Sequence, residues 1–389
     1  MAPTRFVLLG GFLGAGKTTL ISQIAKRYIA AGKRVAIVTN DQADDLVDTH
    51  NLRSAGFEVG EVAGACFCCS FDELVETTES LSESAAPDII LAEPVGSCTD
   101  LVATIIRPLQ KLYPDRFELA PFGVLLKPSH GKRILCGDGR GRGFSKDAEY
   151  IFFKQLEEAD YLIIGRGDQL SESEVAELKA KLGELAPGVP VIVASPKTGA
   201  GIDDVIGHIE SPMEAGRRIL EIDYDTYAVG EAEMGWVNLI ATIGVSDEST
   251  EAVDLMSLVE DLLLGISSAL DDDPEASIAH LKTSVQPLAP TRSSATLPPG
   301  ESSSHAIASI VATGNPIDWS RQPSPSDSVS TPLRCVINAR VAVDPEVLQT
   351  ICEKVLHKVT SSRGFFVEIE QSRQLRPGRP TPTHRYAEV

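Results

Sequence analysis

Gly11-Phe12-Leu13-Gly14-Ala15-Gly16-Lys17-Thr18 conforms to G-x-x-x-x-G-K-[ST]; the apolar run Phe6–Leu9 stands just before it and a helix-length stretch, Lys17–Ala31, just after. In a strand–loop–helix setting this spacing has a mechanical meaning. Glycines let successive backbone N–H groups turn inward around phosphate oxygens, and the helix N-terminus adds partial positive charge. Gly11, Gly14, Ala15 and Gly16 would form the cradle, with Lys17 reaching the β- and γ-phosphates, Thr18 ligating Mg²⁺ and Thr19 completing the binding turn. The loop fixes the class of domain: a nucleoside triphosphate on a mostly parallel α/β sheet.

Working outward, short apolar runs alternate with helical stretches over the first 210 residues or so. Strands are expected at Phe6–Leu9, Val35–Thr39, Val59–Val62, Ile89–Ala92, Phe122–Leu126, Tyr161–Ile164 and Val191–Ala194. Helices are expected at Lys17–Ala31, Asp72–Ser84, Thr99–Leu112, Ala148–Ala159 and Glu172–Leu185. Near-continuous apolar strands separated by helices read as a parallel sheet covered on both faces. A second region, 235–372, reads as a smaller α+β domain of two βαβ units, suited to a ferredoxin-like sandwich. Its strands fall at Trp236–Val245, Ala276–Val285, Leu333–Val343 and Phe365–Glu370, and its helices at Ala252–Leu270 and Pro345–Thr360. The Pro/Ser-rich stretch 287–332 reads as an inserted linker, in which His305–Thr313 is apolar enough for an added strand. Residues 1–212 then form the P-loop domain, 213–234 a linker, and 373–389 a flexible tail carrying Arg376, Arg379 and Arg385.

Two further motifs carry chemistry. The strand Ile89–Ala92 runs into Glu93-Pro94-Val95-Gly96, and an acid in that position of a P-loop sheet faces Mg²⁺ or orients the attacking water. Gly96 would lie near the γ-phosphate, where its N–H senses it. Cys66-Phe67-Cys68-Cys69 places three thiols within four residues; as thiolates they make a soft site for Zn²⁺ or another thiophilic metal, with one position left open. Cys98, Cys136, Cys335 and Cys352 read as isolated structural thiols. Seven cysteines, an odd number, argue for a reducing cytoplasm rather than a disulfide framework. Thirty-five basic against 55 acidic side chains give a net charge of −20, which opposes binding to nucleic acid or an anionic membrane. No stretch approaches the ~20 apolar residues of a membrane span.

The phosphate loop, the C-x-C-C cluster some fifty residues later and the E-x-x-G strand end together resemble the CobW/HypB/UreG family of P-loop GTPases. The resemblance covers residues 5 to about 210. It implies GTP as nucleotide with Mg²⁺, a zinc-like ion at Cys66, Cys68 and Cys69, and service as a metallochaperone. The client would be a metalloenzyme or a cobalamin-related protein, and the chain would act alone or as a homodimer. A nucleotide-gated client-binding module or metal sensor with little turnover is the alternative, and a small-molecule P-loop kinase is the third. The chain also departs from the family pattern. Ala65 stands before the cluster with Gly64 displaced by one. The guanine-reading N-K-x-D appears as Gly165-Arg166-Gly167-Asp168, which keeps the carboxylate for guanine N1 and N2 but loses the Asn and replaces the Lys. Ser195-Pro196-Lys197-Thr198 resembles the later base-flanking loop. Asp41 and Asp44 fall in the first switch, and Arg140 and Arg142 in a Gly/Arg loop able to serve as a lid.

Overall fold

In the computed structural model the described residues are 3–41, 47–63, 65–137, 144–244, 252–273, 276–288, 305–323, 328–330 and 332–387. Asp44, Gly64, Arg140, Arg142 and the side chain of Asp41 lie outside them. The chain divides into two compact units. Met1–Asp44, Asp48–Glu231 and Gly378–Val389 form the first, and Asp45–Val47 with Ala232–Pro377 the second.

The first unit is a parallel sheet of β1 (Thr4–Gly10), β2 (Val35–Asp41), β3 (Glu58–Ala63), β4 (Ile89–Glu93), β5 (Phe117–Leu119), β6 (Gly123–Leu126), β7 (Tyr161–Ile164) and β8 (Val191–Val193). The order is β3-β2-β4-β1-β6-β7-β8, with β5 also paired to β1. Its helices are α1 (Lys17–Ala30), α2 (Val47–Ser54), α3 (Phe71–Ala85), α4 (Arg107–Leu112), α5 (Pro128–Ile134), α6 (Lys146–Glu157), α7 (Glu172–Leu185), α8 (Ile202–Ile209) and α9 (Tyr224–Ala232). All five residues of β4 are buried, as a strand covered on both faces requires. Helix α1 buries Leu20, Ile21, Ile24, Ala25 and Tyr28, one stripe at helical spacing, into the same apolar cluster as Val7 and Leu9 of β1. That packing fixes the phosphate loop between two rigid elements at the centre of the sheet.

Three local features depart from the expected pattern. β5 is only three residues long, too short to show a period; Phe117 enters the core edge-on to Phe6 at 5.7 Å. The helix expected over Thr99–Leu112 begins as a π-helical turn, Val102–Ile106, before α4. Helix α9 lies within 213–234, where composition pointed to linker.

The second unit is antiparallel, made of β9 (Gly235–Gly244), β10 (Ala252–Asp254), α10 (Leu255–Leu270), β11 (Ser277–Pro287), β12 (Ala306–Ile310), β13 (Asp318–Arg321), β14 (Ser328–Ser330), β15 (Leu333–Ala342), α11 (Pro345–Ser361) and β16 (Phe366–Leu375). The sheet order is β13-β12-β11-β15-β9-β16. Its last four strands with α10 and α11 make the expected βαββαβ sandwich. Helix α10 starts at Leu255, later than expected, because Asp254 caps it by accepting from the Ser257 N–H at 3.1 Å. Within the stretch read as linker, β12 is a full member of the sheet, with Ala306, Ala308 and Ile310 in the core. The stretch read as a flexible tail is also structured in part: β16 continues to Leu375 alongside β9, and residues from Gly378 on pack with the first unit. Among the described residues no helix is long and apolar enough to cross a membrane.

Candidate nucleotide and metal site

The phosphate loop joins the end of β1 to α1 and turns through left-handed glycines, Gly14 at φ 68° and Gly16 at φ 98°. Gly11 at φ 140° lies so close to β6 that a Cβ there would stand 2.5 Å from the Leu125 carbonyl oxygen. Lys17 Nζ donates to the Gly11 carbonyl at 2.9 Å, folding its cation back over the loop. The first turn of α1, which includes Thr19, carries no acidic residue, so the N-terminal field faces the cradle unopposed. The Thr18 hydroxyl donates to Glu93 Oε1 at 3.0 Å, and both side chains are buried. A hydroxyl and a carboxylate side by side at the end of the loop form the hard oxygen pair that suits Mg²⁺. Gly96 closes the other flank: a Cβ there would be 3.0 Å from Lys17 Nζ and 2.9 Å from Leu13 Cδ2.

The base-side loop follows β7. Gly165 N donates to the Leu126 carbonyl at 2.9 Å and Gly167 N to the Ala194 carbonyl at 3.0 Å, which hangs the loop from the ends of β6 and β8. Arg166 takes a left-handed φ of 51°, and Asp168 is exposed in the short turn Gly167–Gln169. The loop Ser195–Thr198 is closed by Ser195 Oγ, which accepts from the Thr198 N–H at 3.2 Å. Lys127, at the end of β6, is buried, and its ammonium is pulled down to about 7 by that burial and by the charges of Arg166 and Arg133.

The three sequence-predicted thiols meet. Sγ of Cys66 lies 3.1 Å from that of Cys68 and 3.3 Å from that of Cys69, and the Cys68–Cys69 separation is 3.8 Å. A tetrahedral ion with Zn–S bonds of ~2.3 Å places its sulfurs ~3.8 Å apart, so little rearrangement would seat one. The sulfurs of Cys68, Cys69 and Cys98, with the Cys69 backbone N–H, together hold the Cys66 thiol well below its ordinary range. The loop is shaped by its own turn, Cys69 N and Ser70 N both donating to the Cys66 carbonyl at 2.9 and 3.0 Å, before α3 begins.

Two supports of this loop escaped the sequence reading. The buried side chain of Asn40, near the end of β2, makes three hydrogen bonds. Its Nδ2 donates to the carbonyls of Val62 and Ala65 at 2.9 and 2.8 Å, and its Oδ1 accepts from Phe67 N at 2.7 Å. Thr39, one residue earlier, is the register partner of Glu93. The second support is the C-terminal strap. Thr383 N donates to the Cys68 carbonyl at 2.8 Å, Thr383 Oγ1 to the Cys69 carbonyl at 3.1 Å, and the Thr381 N–H to the Cys69 sulfur. Arg385 anchors the strap on Asp100 at 2.7 Å. Asp100 is buried at φ 64°; burial raises its carboxyl, against the pull of the Tyr224 hydroxyl and Arg385. The arginines among prolines in an acidic chain were the available signal for such a clasp.

A parallel sheet with a phosphate loop at its centre and an acid on the neighbouring strand defines a P-loop nucleotide-binding protein. Residues 5–193 match the model described as "CobW/HypB/UreG, nucleotide-binding domain", and this part of the chain belongs to that family. The chain is 26% identical over 261 residues to the zinc chaperone CobW of Sinorhizobium sp, covering 57% of this chain and 71% of that one. It is 24% identical over 221 residues to the zinc chaperone CobW of Pseudomonas aeruginosa, covering 50% of this chain and 57% of the relative. Among solved structures, Zn(II)-bound YjiA GTPase from E. coli is 16% identical at a TM-score of 0.37, covering 91% of this chain and 99% of that one.

Releasing the strap should expose the thiols. Arg385→Ala removes its ionic anchor, and Cys69 should then react several-fold faster with a small thiol reagent, counted by mass spectrometry on the folded protein. An unchanged rate would mean that Thr381 and Thr383 hold the strap without the ion pair.

Proposed function

We propose that the protein is a GTP-hydrolysing zinc chaperone that takes up Zn²⁺ at Cys66, Cys68 and Cys69 and hands it to a client metalloenzyme in step with the nucleotide cycle. The family's zinc chaperones support this reading, as does the chemistry of three clustered thiols. The observation that carries it is the amide of Asn40, which ties the cysteine loop to β2 one residue from the register partner of Glu93. In this reading Lys17 neutralises charge on the β- and γ-phosphates, and Thr18 with Glu93 holds Mg²⁺, which supplies further charge stabilisation to the transferring phosphoryl group. Asp168 accepts from the guanine edge, and Gly96 N–H reports the γ-phosphate. The zinc is cargo: three sulfurs leave a position through which a client ligand can enter. All seven cysteines are free thiols, which suits work in the cytoplasm.

Lys17→Ala deletes a cation whose charged hydrogen bonds are worth roughly 1.5–3 kcal/mol each, so GTP affinity measured by calorimetry should fall at least ~10-fold. GTP should bind more tightly than ATP, by less than in a GTPase with the complete N-K-x-D. Equal affinities would contradict the guanine assignment.

Zinc should bind at one ion per chain and release protons on uptake, because thiols must ionise to ligate; affinity should therefore weaken as pH falls. Cys68→Ser should weaken binding, measured by competition with a chromophoric chelator. Stoichiometric zinc that ignores this substitution would move the site elsewhere.

A further inference from the structure

Cys98 was read from sequence as an isolated thiol, and its surroundings say otherwise. It sits on the loop leaving β4, two residues past Gly96 and only 3% exposed. Its thiol is near enough to interact with that of Cys66 and with the Tyr227 hydroxyl, and Cys66 is the same sulfur on which Cys68 and Cys69 converge. The buried thiols of Cys335 and Cys352 offer a contrast: both lie inside the apolar cluster of the second unit. An inert thiol needs only such a pocket; Cys98 faces sulfur and a hydroxyl.

Cys98 is also held at a defined height. Gln155 Nε2 donates to the carbonyls of Gly96 and Cys98 at 3.0 and 2.8 Å, so both ends of this short segment hang from one side chain. Gly96 abuts the phosphate loop closely enough that a Cβ would stand 3.0 Å from Lys17 Nζ. An adjustment of the Gly96 backbone to a γ-phosphate would act on a segment that ends two residues on at Cys98.

The sulfurs of Cys66, Cys68 and Cys69 already lie within 4.8 Å of one another; Cys98 is not one of that group but interacts with it through Cys66. We propose that Cys98 is a fourth, movable thiolate ligand, carried on the Glu93–Cys98 loop, which closes the zinc site in one nucleotide state and leaves it open in the other. Closed four-sulfur zinc sites retain the ion, and sites with three protein ligands keep an exchangeable position. A thiol that joins or leaves with the nucleotide thus converts a retaining site into a donating one. This inference rests on the zinc reading of Cys66–Cys69.

Cobalt alone is the probe. In the reduced full-length protein, the sulfur-to-cobalt charge-transfer absorption per bound Co²⁺ counts thiolates, and it is recorded with GDP and with a non-hydrolysable GTP analogue. The unmutated protein should show two intensities. Cys98→Ala should lower the higher one by about a quarter, from four sulfurs to three, leave the lower one unchanged, and weaken Co²⁺ binding about 10-fold or more in the closed state. Cys98→Ser, which preserves side-chain size, should behave the same and guards against a cavity effect. Thiolate-bound cobalt with an intensity and affinity indifferent to Cys98 in both states would overturn this inference alone. Absence of thiolate-bound cobalt in the unmutated protein would overturn the zinc reading and this inference with it.

Discussion

The side-chain amide of Asn40 joins the nucleotide half of the site to the thiolate half. Both of its donated bonds and its accepted one run to the backbone around the cysteine loop, and the amide is buried. Breaking any of them in the interior leaves an unpaired group at a cost of about 1–3 kcal/mol. The cysteine loop therefore follows β2 rather than moving on its own. Because Thr39 pairs with Glu93 in register and Glu93 accepts from Thr18, the end of the phosphate loop and the Asn40 tie share one short segment of sheet.

The sheet order makes that economy of distance possible. β1 delivers the phosphate loop, β4 the carboxylate and β2 the amide, and β4 lies between the other two. In a parallel sheet the carboxyl ends of adjacent strands share one edge, so the three groups gather without long loops. The cysteine loop follows β3, the next strand out, and completes the row. Loops after β4 and the C-terminal strap then bear on the thiols from other directions, through Cys98 and through Thr381 and Thr383.

The phosphate loop was legible because glycine at positive φ and a lysine at fixed spacing are backbone requirements that leave few alternatives. The cysteine triad was legible because nearness in sequence guaranteed nearness in space. The ferredoxin-like sandwich was legible from its alternating strands and helices. What escaped were groups whose role depends on distant chain. Cys98 is thirty-two residues from Cys66 and has no spacing that names its partner. Thr383 reaches Cys68 across more than three hundred residues, and a proline- and arginine-rich terminus reads locally as a tail. Asn40 sat within an acidic stretch whose carboxylates drew attention first, although its amide makes the tie. β5 escaped for a simpler reason: three residues carry too little pattern, whereas β12 was legible as an apolar run despite its proline- and serine-rich flanks.

In the proposed cycle nucleotide and metal are energetically linked across this sheet edge. The direct measurement is zinc affinity of the same preparation with GDP and with a non-hydrolysable GTP analogue, paired with the affinity of each nucleotide for zinc-loaded and zinc-free protein. Linkage demands that the two ratios agree, and a coupling of ~1–3 kcal/mol gives a 5–150-fold change. Such a change is expected, equal in both directions of measurement. Zinc affinity identical in the two nucleotide states would contradict it.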